Sequence, residues 1–269
     1  MSNMEKGAPK SGVKHKYGRI DTDYGARMFM TPAEEDGPIY MLNYMRYKEV
    51  ADYAGSDGKA ISGKEADDLY NPTEVLHKFG ADPVFFGDVI EQVGAQLPAW
   101  DRIGTVCYPT RKSFIEMESR KDFQEKHVHK AAGMAETFIT CGLPMTDVAT
   151  GSASAKLQGT KPFVSVSAWR ALETSSVDEL KAALIAGIAH IEAAGGRVGA
   201  WFDVEGTIIG DGRRYDINCY NQYAEPADFH AALNAMQSDP SCAMLFDEAK
   251  TDGYTVLVKP GIDKISPRP

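Results

Sequence analysis

The sequence predicts an α+β protein made of two copies of one unit, and a long internal repeat is the first observation that predicts it. Segment 38–46 (PIYMLNYMR) has a counterpart in segment 162–170 (PFVSVSAWR). Further along, the aromatic–Asp pair, the tyrosine and the phenylalanine of segment 100–114 recur in the same order in segment 215–229. Blocks that match in one order are difficult to obtain without duplication. Because the repeat is far longer than solenoid periods, each copy should be a domain rather than a stacking unit.

The order of elements within the first copy is the second observation. Runs rich in β-branched and aromatic residues predict strands at 39–47, 84–93, 101–108 and 136–141. Between the first two strands, Ser62 and Glu65 form a capping-box pattern that begins a helix, and Pro72 ends it and begins another. Thr110 can cap the next helix, and a cap-like start at Asp122 indicates that this helix is kinked or in two pieces. The order β-α-β-β-α-β is that of the ferredoxin-like unit.

The second copy repeats this order more regularly. Ser176 and Glu179 begin a helix whose apolar side chains share one stripe at helical spacing: Val177, Leu180, Leu184, Ile188 and Ile191. Strands are predicted at 163–169, 198–209, 213–223 and 254–258, with a glycine-rich turn at 210–212 between the middle two. Pro226 and Pro240 each suit the first position of a helix.

These patterns divide the chain into four predicted segments. They are an N-terminal arm (1–36), a ferredoxin-like domain (37–144), a linker (145–160) and a second ferredoxin-like domain (161–269). The arm has no sustained hydrophobic period, and we expect it either to be irregular or to lie over the first domain. The linker is small, polar and without period.

Composition narrows the classes of function. The chain has 269 residues, a net charge of −9 and a pI near 5.2, which argues against a basic nucleic-acid-binding surface. It contains no apolar run long enough to span a bilayer and no apolar core of a signal peptide, so a cytoplasmic location without membrane contact is expected. The cysteines have no paired metal-ligand spacing, and buried free thiols are the expectation.

Several motifs of the first copy resemble those of a family of uncharacterised bacterial proteins in the dimeric α/β-barrel superfamily. The resemblance covers 38–144 and a diverged copy at 160–262. It is carried by Met41-Leu42-Asn43-x-x-Arg46-Tyr47, Gly63-x-Glu65-Ala66, Trp100-Asp101, Tyr108-Pro109-Thr110-Arg111-x-x-Phe114-x-x-Met117 and His129. It implies that two four-stranded sheets pack into an α/β barrel, here within one chain. The superfamily includes cofactor-independent monooxygenases, polyketide cyclases, muconolactone isomerases and haem-bearing chlorite dismutases, so the resemblance does not identify a reaction.

Three residues are predicted to be catalytic. His129 lies on a predicted helix of the first copy, and a histidine with an ordinary pKa suits proton transfer at neutral pH. Arg46 interrupts an apolar strand, so it needs a carboxylate, Asp88 or Asp101, or a ligand anion. Tyr108 carries a hydroxyl that could orient a substrate oxygen. His127 and His129 are two residues apart on a helix and face different sides, so no metal site is predicted there.

Six further residues are predicted to bind the substrate: Asn43, Tyr70, Phe85, Trp100, Arg111 and Phe138. The aromatic residues among them could equally belong to the core. Asn43, Arg111 and His129 have no equivalents in the second copy, which favours a site in the first copy. A competing site around Trp169, Trp201 and His190 in the second copy stays open.

The sequence contains no nucleotide-binding, serine-hydrolase or zinc-protease motif. The leading hypothesis is therefore a cofactor-independent enzyme that uses acid–base chemistry on a small apolar or polyketide-like substrate, as an isomerase, cyclase, lyase or monooxygenase. No cofactor is expected, the predicted partner is a small apolar or aromatic molecule, and a homo-oligomer is possible. A non-catalytic protein that binds a hydrophobic ligand or serves as a scaffold is the alternative, and a haem enzyme of the chlorite-dismutase kind is a weaker one.

Overall fold

A computed structural model of the chain describes residues 12–15, 17–53, 60–94, 98–148, 151 and 153–266. The chain folds as two compact units, each drawn from separate stretches of the sequence. Unit 1 comprises Met1–Pro83, Gly104–Cys141 and Gly206–Arg214, and unit 2 comprises Val84–Ile103, Gly142–Glu205 and Tyr215–Pro269. The predicted boundaries at 36, 144 and 160 follow the order of the chain and differ from these limits, so the tandem organisation stays a prediction.

Strands and helices together make a mixed α+β protein, which confirms that part of the predicted fold class. The strands are β1 (Gly12–His15), β2 (Gly18–Asp21), β3 (Ile39–Tyr47), β4 (Asp82–Val93), β5 (Arg102–Tyr108), β6 (Met134–Pro144), β7 (Phe163–Ala171), β8 (Arg197–Gly210), β9 (Ile217–Tyr223) and β10 (Thr251–Asp263). The helices are α1 (Thr22–Met30), α2 (Gly63–Leu69), α3 (Thr73–Lys78), α4 (Arg111–Glu118), α5 (Lys121–Gly133), α6 (Val177–Ala193), α7 (Pro226–Gln237) and a 3₁₀ helix (Pro240–Phe246). No described helix has both the length and the apolar character needed to cross a membrane.

Unit 1 is a sheet with helices α2 to α5 supplied by the connections between its strands. Its hydrogen-bonded order is β1-β2-β8-β6-β3-β5, and β2 pairs antiparallel with the end of β8. The capping box of Ser62 with Glu65 begins α2, as predicted. Thr110 caps α4, and the extended backbone at Arg120 separates α4 from α5, so the predicted helix is in two pieces.

One point in unit 1 joins the end of β3, the start of α2 and the end of α5. The Lys48 N–H donates to the Gly133 carbonyl at 2.8 Å, and the Gly63 N–H donates to the Lys48 carbonyl at 2.9 Å. A Cβ on Gly63 would come too close to both carbonyl oxygens, and a Cβ on Gly133 would collide with the Gly63 carbonyl. Glycine at both positions lets the three backbones touch. We call this contact the Gly63–Gly133 junction.

Unit 2 is an antiparallel sheet in the order β4-β10-β7-β9-β8. The Ser176–Glu179 capping box begins α6, as predicted. Buried side chains fill the space where α6 and the 3₁₀ helix pack on the sheet, among them Leu180, Leu184, Trp201 and Ile217. Pro240 begins a 3₁₀ helix rather than an α-helix.

The N-terminal segment, predicted either to be irregular or to lie over the first domain, contains regular elements. Residues 12–15 form β1, residues 18–21 form β2 and residues 22–30 form α1. Asp21 caps α1 by accepting from the Tyr24 N–H at 2.9 Å. These elements are too short to produce a sustained hydrophobic period, which is why the sequence pattern missed them. The rest of the predicted arm at 1–11 and 16, part of the glycine-rich loop at 54–59, and positions 149, 150 and 152 of the predicted linker lie outside the described residues. All four cysteines are free, three of them buried.

The Gly63–Gly133 junction predicts a specific sensitivity to substitution. Gly63→Ala should lower the free energy of unfolding by about 1 to 3 kcal/mol or more, because backbone rather than a flexible side chain blocks the new methyl group. Gly37→Ala is the matched control, since nothing lies within 4 Å of its Cβ position, and it should change stability by less than about 0.5 kcal/mol. Urea unfolding monitored by circular dichroism measures both, and equal stabilities for the two variants would contradict the junction.

Candidate functional site

Helix α5 presents three chemically distinct side chains on one face in unit 1. Phe123, His127 and Lys130 are spaced i, i+4 and i+7, so they lie above one another along the helix. Tyr70, at the end of α2, contacts all three. Its ring centroid lies 6.2 Å from that of Phe123 and 6.0 Å from that of His127, both edge-to-face, and the Lys130 Nζ lies 5.6 Å from it.

Four residues from other elements of unit 1 complete the group: Tyr17, Asn43, Tyr108 and Glu118. The Tyr17 hydroxyl and the His127 Nε2 are 2.8 Å apart, and the Lys130 ammonium donates to the Asn43 Oδ1 at 3.3 Å. Glu118 and Tyr108 are near enough to affect the ionisation of Tyr70. We call these eight residues the Tyr70 cluster.

Glu118 and Lys130 are the two ionisable groups of opposite charge in the Tyr70 cluster. Burial raises the pKa of the Glu118 carboxyl from its ordinary 4.5 to about 7, with the Lys130 charge acting in the opposite direction. Burial also lowers the pKa of the Lys130 ammonium, and the charges of Asp67 and Glu118 oppose that shift. Yet Glu118 is exposed and Lys130 half-buried by accessible surface. Both groups are therefore accessible to water, and protein atoms around them shift their pKa values towards the neutral forms.

The tyrosines of the cluster stay neutral. Burial first, and the Glu118 charge second, raise the pKa values of Tyr17 and Tyr70, and the same two causes raise that of Tyr108 well above its ordinary range. Each hydroxyl therefore keeps its proton at physiological pH and can donate a hydrogen bond. Beside the cluster, the Tyr47 hydroxyl donates to the Asp67 carboxylate at 2.5 Å.

The Tyr70 cluster of unit 1 offers a ligand both apolar surface and hydrogen-bonding groups. Aromatic rings provide flat apolar faces, and Lys130 provides N–H donors of which the described residues accept one. The Glu118 carboxyl, with a pKa of about 7, is partly protonated at neutral pH. It has no hydrogen-bond partner among the described residues. Groups of opposite charge with perturbed pKa values in one cluster are typical of a functional site.

Three predicted site residues belong to the Tyr70 cluster: Asn43, Tyr70 and Tyr108. Asn43 accepts from Lys130 and donates to the Met41 carbonyl at 3.2 Å. A polar side chain in the middle of an apolar strand was the signal that identified it. Tyr108 is 3% exposed, at the end of β5.

Three other predicted residues of unit 1 are placed elsewhere by their own partners. His129 is half-buried, and its Nδ1 lies 2.8 Å from the Tyr53 hydroxyl. Arg46 pairs with Glu136 at 3.3 Å and is 40% exposed, so the expected pairing with Asp88 or Asp101 is corrected. Arg111 is buried against Asp36, whose carboxylate accepts from the Arg111 N–H at 2.6 Å and faces its guanidinium at 3.3 Å.

The remaining predicted aromatic residues lie in packed positions. Phe138 stacks on Tyr44 in unit 1, with 4.4 Å between ring centroids. In unit 2, Phe85 packs edge-on against Tyr220 and Trp100 against Tyr254. These are core contacts, the alternative that aromatic residue types leave open in any sequence.

Sequence reasoning missed Tyr17, Glu118, Phe123, His127 and Lys130. The helical spacing of Phe123, His127 and Lys130 was the available signal, because it separates His127 from His129 by face. Nothing in the sequence marks Glu118, which ends α4 and resembles the exposed glutamates before it. Its raised pKa arises from residues that the fold brings near it.

Comparison with known proteins gives a likeness of fold. No protein-family model matches the chain, and no curated protein matches it by sequence. A protein of unknown function from Rhodopseudomonas palustris is 26% identical over 41% of this chain and 85% of its own, with a TM-score of 0.38. A chlorite dismutase variant from Candidatus Nitrospira defluvii is 10% identical, covers 86% of this chain and 94% of its own, and has a TM-score of 0.50. A haem-binding protein from Thermus thermophilus is 11% identical, covers 84% and 91%, and has a TM-score of 0.46.

The likeness to the chlorite dismutase agrees with the predicted resemblance in fold alone. The bacterial family itself has no matching model. The hypothesis of a cofactor-independent acid–base enzyme is corrected by the same likeness. The solved structure with a TM-score of 0.50 is a chlorite dismutase, which differs from the isomerase, cyclase, lyase or monooxygenase of that hypothesis. Identities near 10% show fold alone, so they assign no cofactor to this chain.

The described histidines do not provide a haem site. A haem needs an axial donor with a lone pair facing an apolar space. None of the described histidine side chains is buried: His77 is exposed, and His127, His129, His190 and His230 are half-buried. An axial histidine enclosed by apolar side chains is therefore absent from the described residues. In unit 2, packed apolar side chains occupy the space between α6 and the sheet.

The raised pKa of Glu118 predicts a pH-dependent gain in stability on neutralising it. The unfolded chain releases the Glu118 proton near pH 4.5, whereas the folded chain keeps it up to about pH 7. Folding stability therefore falls as pH rises through this window. Glu118→Gln should unfold at higher urea concentration than the wild type at pH 8, and the difference should vanish below about pH 4.5.

Glu116→Gln, on the same helix, is the control, because Glu116 is an exposed residue facing Lys112 at 4.0 Å. It should show no such pH-dependent gain. A gain for Glu116→Gln equal to that for Glu118→Gln, or none for Glu118→Gln at pH 8, would mean that Glu118 is not desolvated.

Proposed function

We propose that the chain binds a small, planar, weakly acidic molecule, such as an aromatic or conjugated carboxylate, in the Tyr70 cluster. The observation that carries the proposal is the Lys130 ammonium, which lies 5.6 Å from the Tyr70 ring centroid and donates to Asn43, with the Glu118 carboxyl near enough to raise the pKa of Tyr70. This develops the ligand-binding alternative and leaves the cofactor-free enzyme aside.

The charge of Lys130 defines the polar end of the ligand. A desolvated ammonium is costly unless hydrogen-bond acceptors surround it. Among the described residues the amide oxygen of Asn43 accepts one of its N–H groups. A ligand carboxylate would supply a charge-assisted hydrogen bond to another, and such bonds are about twice as strong as neutral ones.

The rings define the remainder of the ligand. Tyr70, Phe123 and His127 lie edge-to-face or tilted around one another at centroid distances of 5.7 to 6.2 Å. Aromatic faces favour a flat conjugated molecule over a branched aliphatic one, since offset and edge-to-face contacts add to burial.

Glu118 gives the site a pH dependence. When protonated it can donate to the second oxygen of a carboxylate, and when ionised it repels the same oxygen. Because the pKa of Glu118 is about 7, binding should weaken as pH rises above neutrality.

We also propose that this site lies in the first of two ferredoxin-like copies, 37–144 and 161–269. The strand orders β6-β3-β5 in unit 1 and β10-β7-β9-β8 in unit 2 support this proposal. In each copy the fourth, first and third strands are neighbours in that order, as duplication of one unit would produce.

Cinnamate binding tests the function, measured by isothermal titration calorimetry on the full chain at pH 6. Lys130→Met should weaken binding by about 10- to 100-fold, since a hydrogen bond to a charged group contributes about 1.5 to 3 kcal/mol. Lys121→Met, on the same helix with its side chain 91% exposed, is the matched control and should bind like the wild type. Cinnamamide, the neutral analogue, should bind more weakly than cinnamate to the wild type.

A second arm uses pH. Wild-type affinity for cinnamate should fall between pH 6 and pH 8, and affinity of Glu118→Gln should stay constant over the range. Absence of cinnamate binding, or equal affinity in Lys130→Met and Lys121→Met, would contradict the proposal.

A further inference from the structure

We propose that His190, Asp239 and Cys242 of unit 2 form a binding site for Zn²⁺. One ligand atom from each residue, the histidine nitrogen, a carboxylate oxygen and the cysteine sulfur, lies within 4.8 Å of the other two. This group is separate from the Tyr70 cluster, and the inference does not depend on the proposed function.

Helix α6 and the 3₁₀ helix bring the residues together. His190 lies in the last turn of α6, and Asp239 precedes the 3₁₀ helix in which Cys242 lies. A 3₁₀ helix has about three residues per turn, so residues 239 and 242 occupy the same side. The Cys242 thiol faces α6, where its Sγ contacts the Ala183 carbonyl at 3.8 Å, seven residues before His190 on the same face.

The carboxylate of Asp239 is already oriented for a metal. Its Oδ1 accepts from the Ser241 N–H at 2.8 Å, and its Oδ2 lies 2.7 Å from the His190 Nε2. A zinc ion with bonds of about 2.0 to 2.3 Å holds its ligand atoms roughly 3.3 to 3.7 Å apart. The nitrogen and oxygen must therefore separate by less than about 1 Å, while the sulfur moves towards them. The bond to Ser241 would hold the aspartate in place, as outer partners of metal ligands do.

The chemistry of the three donors selects the ion. A set of imidazole nitrogen, thiolate sulfur and carboxylate oxygen suits Zn²⁺ rather than Ca²⁺ or Mg²⁺, which prefer oxygen ligands throughout. The side chains of His190 and Asp239 are 25% and 29% exposed, whereas Cys242 is fully buried. The open side gives the ion a route of entry and leaves the fourth position to water.

Metal titration of the purified chain, first treated with chelator, tests the site. Equilibrium dialysis with Zn²⁺ should give one ion per chain, and Co²⁺ in its place should give the sulfur-to-cobalt charge-transfer absorption of a thiolate ligand. Cys242→Ser should abolish that absorption, and His190→Ala should weaken Zn²⁺ binding at least 10-fold. Asp239→Asn should also weaken Zn²⁺ binding at least 10-fold, although its amide oxygen can still accept from the Ser241 N–H.

His230→Ala is the matched control, because His230 is a half-exposed histidine of unit 2 that also faces a carboxylate, Glu91 at 3.0 Å. It should retain full Zn²⁺ affinity. Circular dichroism shows which variants are folded, and only folded variants count. The proposal is wrong if the wild type binds no Zn²⁺, if folded Cys242→Ser keeps the charge-transfer band, or if His230→Ala loses as much affinity as His190→Ala.

Discussion

The backbone contact at the Gly63–Gly133 junction is the constraint on which the first unit's candidate site depends. Lys48, Gly63 and Gly133 exchange two hydrogen bonds at 2.8 and 2.9 Å, which join the end of β3 to one end each of α2 and α5. Tyr70 ends α2, and α5 carries the face that contacts it. A side chain at either glycine would push the helices apart, so the distances from Tyr70 to Phe123, His127 and Lys130 follow from two residues without side chains.

The packing around the Tyr70 cluster also changes the pKa values of its ionisable groups. The same packing that holds the aromatic rings together raises the pKa of Glu118 to about 7 and lowers that of Lys130. Folded proteins tolerate such groups where a ligand or a network satisfies them. Beyond Asn43, the described residues offer Lys130 no acceptor, so we attribute the missing partner to a ligand. The His190–Asp239 pair of unit 2 differs, because each partner there already satisfies the other at 2.7 Å.

The elements of the fold were largely predictable because local signals define them. The capping boxes at Ser62 and Ser176 and the break before α5 depend on residues that are close in sequence. The site was only partly predictable. Asn43 was identifiable as a polar residue in an apolar strand, whereas Glu118 gains its unusual ionisation from residues distant in sequence. His129 is the same residue type as His127 but faces Tyr53, a distinction that only helical geometry reveals. His190 and Cys242 are likewise too far apart in sequence for their spacing to indicate a metal site.

The location of a bound planar carboxylate tests the central claim most directly. Crystals of the chain soaked with para-bromocinnamate would place the bromine by its anomalous scattering. The account predicts one peak beside the Tyr70 ring, with the carboxylate in hydrogen-bond contact with the Lys130 Nζ. A peak at another position with the Tyr70 cluster holding only water, or no peak at all, would contradict it.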